Sequence, residues 1–328
     1  MELRTTFKIP PSRYKITYDD PVMFIGSCFA GSIGSKLEAG RMPVMINPSG
    51  TVYNPVSVSN TLKSVIDSRE YTEKDLHDHN GTWLSFDHYT DFSSGNEKEV
   101  LDRINRRTSA AFEFLSKTHF LFITFGTARV FRHIESGRIV SNCHKIPASE
   151  FKRELLTVDE IVLLWNSQLD LLQVFNPELR VVFTISPVRH WKDGPHGNQV
   201  SKSTLFLAVE RLLEHPSIPQ YFPAYELVMD DLRDYRFYAG DMLHPSDAAV
   251  DYIWNAFMEC YFDNITTGTW REAEKIVRAV SHKIRSGAGE NLRSFAGTML
   301  KKIDALCARK PAPDLSVERN YFKGLVHF

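Results

Sequence analysis

The sequence predicts a three-layer α/β/α fold built on a parallel sheet, followed by a helical C-terminal extension. Three observations lead to this prediction. Short apolar runs end at Gly or Pro, segments with helical periodicity lie between them, and the composition is that of a packed globule, with 43% hydrophobic and 24% charged residues among 328. Strands that alternate with helices of this length are typical of α/β proteins with a parallel sheet.

Three apolar runs are predicted to form strands of that sheet: VMFI at 22–25, FLFITF at 120–125 and RVVFTISP at 180–187. Their continuous apolar character suits strands that are buried on both faces. The first run is followed by a Gly-Ser-Cys turn and by a predicted helix over 29–40, which ends at Gly40. A strand, a tight turn and a helix in this order form half of a βαβ unit.

The remaining predicted helices have apolar residues at helical spacing, and they cover 153–175, 201–215, 246–262, 270–285 and 288–309. We expect one α/β domain over 1–265, in which about 41–118 is an insertion or cap over the carboxyl edge of the sheet. A helical extension over 266–328 follows it. Within this extension, residues 270–310 contain 10 Lys+Arg and 4 Asp+Glu. A solvated helical face explains this excess, and a surface for a partner or polyanion is the alternative.

The charge balance and the sequence patterns exclude several classes of protein. With 39 Lys+Arg and 40 Asp+Glu, the chain has no overall attraction to nucleic acid or to anionic membranes, and no nucleic-acid partner is expected. No stretch of about 18 apolar residues is present, so no membrane-spanning helix is expected. The N-terminus lacks a signal-peptide core, which predicts a cytoplasmic protein. Without a Walker-type loop or a GxGxxG motif, no nucleotide cofactor is expected.

The cysteines and histidines give no metal pattern. Cys28, Cys143, Cys260 and Cys307 show no CxxC spacing, so free thiols are expected rather than a zinc site or a disulfide framework. The His and Asp residues at 77–88 match no common ligand spacing, and a polar loop is the simpler explanation. The sequence therefore predicts neither a metal nor any other cofactor.

The turn at Gly26-Ser27-Cys28 is the first candidate functional feature. In open parallel sheets, ligands bind beyond the carboxyl ends of the strands. A nucleophile between a strand and a helix N-terminus has its anion favoured by the helix dipole, and its own backbone N–H points toward a developing oxyanion. The alternative is a simple Gly-Ser turn with Cys28 buried under the helix.

Asp241 and His244 form the second candidate feature, three residues apart and directly before a predicted helix. A carboxylate in this position can bond one imidazole nitrogen and leave the other free, which is the arrangement that activates a Ser or Cys nucleophile. Pro245 disfavours helical structure at His244, so the pair is expected in a loop at the helix entrance. Surface Asp and His residues also produce this spacing often.

Together, the two features resemble the SGNH (GDSL-type) hydrolase superfamily, and the chain is especially similar to the GSCFA family, whose name is the sequence at 26–30. Further stretches fit that family over residues 1 to about 265: NPSGTVYNP at 47–55, FGTARVF at 125–131, NCHK at 142–145, SPVRH at 186–190, NQVSKSTL at 198–205 and YFPAYELVMDDLRDYRFYAGDMLHPS at 221–246. The resemblance implies an SGNH-like fold. It also implies hydrolysis or transfer of acyl esters, with O-acylated carbohydrates among the candidate small-molecule substrates.

Carried over residue by residue, the resemblance places Cys28 at the nucleophilic Ser of the Gly-Asp-Ser motif and Ser27 at its Asp. A thiolate is a competent nucleophile when a histidine assists it. Ser27 as the nucleophile, with Cys28 as a packing residue, is the alternative. The resemblance further assigns His244 as the general base, Asp241 as the residue that orients it, and the backbone N–H of Cys28 as one oxyanion donor.

The other oxyanion donors of the superfamily are less clear in this sequence. Gly50 is the candidate for a Gly that follows the second strand. Gly126 and Thr127 stand where a Gly-x-Asn-Asp block is expected, but no Asn follows them, and Asn142 is a substitute from a neighbouring loop. The incomplete block supports an alternative function, a non-catalytic binding module. A scaffold protein that docks partners through the basic helices is a second alternative.

Two more residues are candidates for contact with substrate. His144 either contacts substrate or serves as a structural hydrogen-bonding group. Arg189 follows a strand end, where it could bind an anionic or carbohydrate oxygen, and the alternative is packing against the carboxylates of residues 230–234. The sequence does not predict the acyl group, the acceptor or the oligomeric state.

Overall fold

A computed structural model describes residues 5–281 and 289–326. Its strands are β1 (Val22–Gly26), β2 (Val44–Ile46), β3 (His77–His79), β4 (Thr82–Leu84), β5 (Phe120–Phe125), β6 (Arg129–His133), β7 (Ile139–Val140), β8 (Phe151–Leu155), β9 (Arg180–Ile185) and β10 (Gln220–Tyr221). Its helices are α1 (Cys28–Ala39), α2 (Pro55–Ile66), α3 (Glu97–Leu115), α4 (Val158–Phe175), α5 (Gly194–Leu212), α6 (Ala224–Glu226), α7 (Asp247–Tyr261), α8 (Asn264–Ser281), α9 (Gly289–Cys307) and α10 (Ser316–Val326).

The central sheet has the strand order β10-β9-β5-β1-β2. Its pairs β1–β5, β5–β9 and β9–β10 are parallel. Counted within this sheet alone, the order is 2-1-3-4-5, that of flavodoxin-like folds, in which the strand order reverses between β1 and β5. Helices flank the sheet, so the predicted α/β fold with a parallel sheet and C-terminal helices is confirmed. Ligands of such folds bind at the carboxyl edge where the order reverses.

The core explains why the strand sequences are apolar throughout. All residues of β1 and β5 are buried. Because successive side chains of a strand face opposite sides, Ile25 and Ile123 pack in one cluster with Trp165 of α4. Phe24 and Phe122 alternate with them, and their rings stack at 4.8 Å. A sheet that is covered on both faces requires continuous apolar strands rather than alternating ones.

The chain divides into two compact units. The first contains the central sheet and comprises chiefly Val22–Ile33 and Met45–Ile253. The second comprises Ile9–Pro21, Gly34–Val44 and Trp254–Phe328 and has its own apolar cluster, formed by Ile276, Ala296, Met299, Ile303, Leu306, Leu315 and Phe322. A separate domain boundary at residue 265 stays a prediction.

The segment 41–118, expected as an insertion or cap, is largely part of the α/β unit. It supplies β2 to the central sheet and the helices α2 and α3. Leu62 of α2 and Leu115 of α3 are fully buried in the same cluster as the sheet residues. Between α2 and α3, the strands β3 and β4 form a short antiparallel hairpin that does not belong to the central sheet.

Two predicted helix boundaries are wrong for identifiable reasons. Residues 151–155 form β8, which pairs with β6, and α4 begins only after Thr157, because Thr157 and Glu160 form a capping box that fixes the helix start. The helix predicted at 201–215 begins at Gly194 with a proline in its first turn and ends at Leu212. Residues 282–285 and 288, expected to be helical, lie outside the described residues.

A second sheet was not predicted from the sequence. It is antiparallel, with the order β7-β6-β8. Its strands are short and mostly half-exposed, so they lack the continuous apolar runs that revealed the central strands. Among the described helices, none is both long enough and apolar enough to cross a bilayer.

Replacing Gly26 by alanine should destabilise the first unit. Gly26 has a φ of +142°, and a Cβ there would lie 2.2 Å from the carbonyl oxygen of Thr124 on the neighbouring strand. The strain and the clash with backbone predict a loss of about 2–4 kcal/mol in the free energy of unfolding. Chemical denaturation followed by circular dichroism measures it.

Gly31 provides the matched control. It lies inside α1, and a Cβ there meets no atom within 4 Å. Gly31→Ala should therefore raise the free energy of unfolding by about 0.5–1 kcal/mol, as helix propensity predicts. Equal effects of the two substitutions would contradict the role assigned to the close approach of β1 and β5.

Candidate active site

The turn after β1 is held by hydrogen bonds from three directions. The backbone N–H of Ser27 donates to Thr124 O at 3.2 Å, and that of Ala30 donates to Ser27 O at 2.9 Å. The N–H of Gly26 donates to Oδ1 of Asn47 at 2.9 Å. Cys28 is the first residue of α1. The turn thus places Cys28 at a helix N-terminus and at the carboxyl edge of the sheet, next to the point where the strand order reverses.

Ser27 and Cys28, the two candidate nucleophiles, differ in accessibility. Ser27 is fully buried, and its Oγ has no hydrogen-bond partner in the described part of the chain. Cys28 is partly exposed. Burial raises the pKa of the Cys28 thiol, whereas the backbone N–H groups of Phe29 and Cys28 and the charge of Lys202 lower it, and the charge of Asp241 raises it. Because burial is the largest of these effects, the thiol needs a base to ionise it.

Asp241 and His244 form the hydrogen-bonded pair that the sequence predicted. Nδ1 of His244 lies 2.6 Å from Oδ2 of Asp241. The backbone N–H groups of His244 and Leu243 donate to Oδ1 at 3.0 and 2.9 Å. Hydrogen bonds from these N–H groups and from the His244 side chain lower the pKa of Asp241 to about 2. The carboxylate therefore stays ionised and fixes the imidazole with Nε2 directed away from it.

Backbone hydrogen bonds hold the loop that carries this pair. The N–H of Ala239 donates to His244 O at 2.7 Å, and the N–H of Arg189, just after β9, donates to Leu243 O at 3.3 Å. These contacts bring the loop to the sheet edge that holds Cys28. Across residues 5–281 and 289–326, no hydrogen bond joins His244 to Cys28 or Ser27. The Asp241–His244 pair is thus preformed, without a hydrogen bond to the thiol in this part of the chain.

Lys202 is the residue of this region that the sequence analysis missed. It lies in α5, 2% exposed, and its Nζ donates to Gly126 O at 2.7 Å and to Ser186 O at 2.6 Å. No carboxylate among the described residues lies within 4.0 Å of it. Burial lowers the pKa of Lys202 to about 7, and the charge of Cys28 acts in the opposite direction. The available signal was a lysine on the apolar face of a predicted helix.

His190 lies at the same edge, beside Gly126. Its Nε2 is buried without a hydrogen-bond partner among the described residues. A Cβ on Gly126 would lie 3.0 Å from this Nε2 and 3.1 Å from Tyr53 O, so any larger residue would require these neighbours to shift by a few tenths of an ångström. Burial and the charge of Lys202 lower the pKa of His190 to about 4, which keeps its imidazole neutral at neutral pH.

The predicted oxyanion donors already donate within the fold. The N–H of Gly50 donates to Asn47 O at 2.8 Å, and those of Gly126 and Thr127 both donate to Tyr53 O, at 2.7 and 3.0 Å. These N–H groups can bind an oxyanion only if their hydrogen bonds to Asn47 O and Tyr53 O break. Their role in an oxyanion hole stays a prediction.

Asn142 and His144 have their contacts in the antiparallel part of the unit. Oδ1 of Asn142 accepts from the N–H of His144 at 2.8 Å, and Nε2 of His144 donates to Ser85 O at 2.8 Å. Burial lowers the pKa of His144. Within the described residues, neither side chain contacts Cys28. These contacts fit the structural alternative for His144, and a role of either residue in substrate binding stays a prediction.

Arg189 does not pair with the carboxylates of 230–234, which was the alternative to substrate binding. In the described chain, no carboxylate lies within 4.0 Å of its guanidinium. Its Nη1 lies 3.9 Å from Sδ of Met229, and the guanidinium lies over the ring of Trp191 at 5.5 Å. A positively charged group without a carboxylate partner thus stands beside the His244 loop.

Comparisons with known proteins place the chain as follows. The GSCFA family matches residues 21–257. A carbohydrate esterase family 3 protein from Talaromyces cellulolyticus aligns with 9% identity and a TM-score of 0.35, over 80% of this chain and 100% of that chain. An acetyl xylan esterase (Est2A) from the rumen bacterium Butyrivibrio proteoclasticus aligns with 11% identity and a TM-score of 0.35, over 74% of this chain and 65% of that chain. No curated protein matches the sequence.

Removing the charge of Lys202 should make Cys28 harder to ionise. Lys202→Gln keeps an N–H donor for the strand-end carbonyls but loses the positive charge that lowers the pKa of Cys28. The pKa of the thiol should therefore rise, and alkylation by iodoacetamide should slow at any fixed pH near neutrality. Mass spectrometry of the peptide that contains Cys28 measures the rate across pH.

Lys192→Gln is the control for this prediction, because the charge of Lys192 lowers the pKa of a different thiol, that of Cys143. It should slow alkylation of Cys143 and leave that of Cys28 unchanged. The assignment is wrong if Lys202→Gln leaves the pH profile of Cys28 unchanged while the variant keeps its circular dichroism spectrum.

Proposed function

The chain belongs to the GSCFA family, and we propose that it cleaves acyl esters through Cys28, as a hydrolase or an acyltransferase. The observation that carries this proposal is the Asp241–His244 hydrogen bond of 2.6 Å, on a loop at the sheet edge where a partly exposed thiol begins a helix. A carboxylate-oriented imidazole beside a nucleophile is the arrangement that acyl transfer requires.

Cys28 is the proposed nucleophile, and Ser27 is the less suitable alternative. A hydroxyl that is fully buried at Ser27 cannot reach a substrate without rearrangement of the turn. Cys28 is partly exposed, and hydrogen bonds from the backbone N–H groups of Phe29 and Cys28 favour its thiolate. Once ionised, the sulfur attacks the acyl carbonyl carbon and forms an S–C bond.

His244 moves the proton in this scheme. Its Nε2 takes the thiol proton as the sulfur attacks, and it returns that proton to the ester oxygen when the C–O bond breaks and the alcohol leaves. Asp241, ionised because its pKa is about 2, accepts the hydrogen bond from Nδ1–H and stabilises the imidazolium. The step requires the half-exposed loop at 239–246 to bring Nε2 within hydrogen-bonding distance of Sγ.

The negative charge that develops on the acyl oxygen faces two positive features. One is the N-terminus of α1, where the N–H groups of Cys28 and Phe29 lie, and the other is the ammonium group of Lys202. Charge stabilisation of this kind is strongest where water is excluded. The thioester is then attacked by water, which gives hydrolysis, or by a second hydroxyl, which gives transfer. O-acylated carbohydrates are the proposed substrates.

A binding protein without catalytic activity is the second candidate. It is favoured by the hydrogen bonds that Gly50, Gly126 and Thr127 already make to Asn47 and Tyr53, which leave those three N–H groups unavailable to an oxyanion. Such a protein would bind an acylated ligand at the same sheet edge and leave it intact.

Turnover of an activated ester such as 4-nitrophenyl acetate separates the two candidate nucleophiles. Cys28→Ala should reduce kcat/KM by at least about a thousandfold, since the covalent step is lost. His244→Ala should reduce it by about 10²–10⁴-fold. Ser27→Ala and the control Cys143→Ala should keep most of the activity. If all four variants turn over the ester as the wild type does, the proposal fails.

Labelling tests the same assignment without a known substrate. The protein is treated with a thioester acylating probe and, separately, with a fluorophosphonate, and the labelled residue is located by mass spectrometry. Acylation of Cys28 that disappears in His244→Ala supports the proposal. Label on Ser27 would identify the serine as the nucleophile. The absence of label on both residues would favour the binding protein.

A further inference from the structure

A cavity of about 430 Å³ lies beside the loop that carries His244. Its lining includes Arg189 and Met242, and Met242 stands between Asp241 and the histidine in the loop sequence. Small-molecule sites in proteins are clefts of about 300–1,000 Å³ with mostly apolar walls and a few placed polar groups. The volume is therefore sufficient for a ligand of the size of a monosaccharide.

Arg189 gives this cavity its charge. Its Nε is buried and has no hydrogen-bond partner among the described residues. The contact of its Nη1 is with a sulfur, Sδ of Met229 at 3.9 Å, which is a weak acceptor. A guanidinium presents donors in a fork that matches a carboxylate. A carboxylate in the cavity would give this guanidinium the opposite charge that the described chain does not supply.

The other arginine of the cavity is already neutralised. Nη2 of Arg233 lies 3.3 Å from Oδ1 of Asp230. The carboxylate that lines the cavity, Asp234, is paired in turn with Arg236 at 2.9 Å. Of the charged groups in the lining, Arg189 is thus the one that the described residues leave without an opposite charge within 4.0 Å.

The walls around Arg189 are aromatic. The rings of Tyr235 and Tyr238 lie 6.2 Å apart, and Trp191 lies under the guanidinium. Tyr235 is 78% exposed and Trp191 is 49% exposed, and both line the cavity. Aromatic side chains offer an apolar face with a polar edge. This surface suits the C–H face of a sugar ring, whose hydroxyl groups point to the side.

We propose that this cavity binds a sugar that bears a carboxylate, with the carboxylate on Arg189 and the ring against Tyr235 and Tyr238. The site is the carbohydrate subsite of the ester chemistry proposed above, on which this inference rests for its place beside His244. A substrate seated there has its hydroxyl esters next to the loop that supplies the base. The substrate class is then an O-acylated acidic sugar rather than a neutral one.

Direct binding tests this proposal independently of turnover. Isothermal titration calorimetry compares D-glucuronate with D-glucose, which differ by the carboxylate, and with succinate, which has carboxylates but no ring. Glucuronate should bind at least about tenfold more tightly than the other two, since a hydrogen-bonded charge and the ring contacts both contribute. Equal binding of glucose, or of succinate, overturns the assignment of the carboxylate or of the sugar ring.

Two arginine variants form the matched pair. Arg189→Met should weaken glucuronate binding by about ten- to a hundredfold. Arg132→Met, which removes an arginine that is paired with Glu154 and does not line this cavity, should change it by less than about threefold. Thermal unfolding verifies that both variants fold, and Arg189→Lys, which keeps the charge without the fork, should bind with intermediate affinity.

The outcomes distinguish the two proposals. If Cys28 is acylated as expected but glucuronate does not bind, or binds equally to both arginine variants, the acidic-sugar site is wrong and the ester chemistry stands. If glucuronate binds through Arg189 and no residue is acylated, the assignment of the cavity is correct and the proposed ester chemistry is wrong.

Discussion

The ammonium group of Lys202 donates hydrogen bonds to the last carbonyl groups of two neighbouring strand ends, those of Gly126 and Ser186. Because no carboxylate among the described residues accompanies it, carbonyl dipoles stabilise the buried charge only in part, and burial lowers the pKa of Lys202 to about 7. The negative charge of an ionised Cys28 acts in the opposite direction and favours the charged form of Lys202. The stability of the strand ends and the ionisation of the thiol are therefore coupled through one side chain.

Two glycines at this edge of the sheet lie where the backbone and side chains pack closely. Gly26 approaches the backbone of Thr124, and Gly126 fits between His190 and the carbonyl oxygen of Tyr53. The close contacts at Gly26 and Gly126 restrict the turn that carries Cys28, whereas His244 lies on an exposed loop. For the reaction that we propose, this arrangement gives a fixed nucleophile and a proton carrier on a separate element.

The sequence predicted the features that depend on residues close together in the chain, namely the central strands and the Asp241–His244 pair. The continuous apolar runs at 22–25, 120–125 and 180–187 could be recognised as buried strands, and the spacing of Asp241 and His244 indicated their hydrogen bond. It could not predict that Tyr53 O would accept the N–H groups expected in an oxyanion hole, since that contact joins distant loops. Lys202 was missed because its partners are backbone atoms, although its place on the apolar face of a predicted helix was a usable signal.

The high pKa that burial gives the Cys28 thiol also bears on chemical durability. Peroxide and other oxidants react with thiolates, and a thiol that stays protonated oxidises slowly. In the resting protein, the raised pKa keeps the thiol mostly protonated near neutral pH. A cysteine nucleophile arranged in this way would resist conversion to the sulfenic acid between turnovers, whereas a permanently ionised thiol would need a reductant to keep it active.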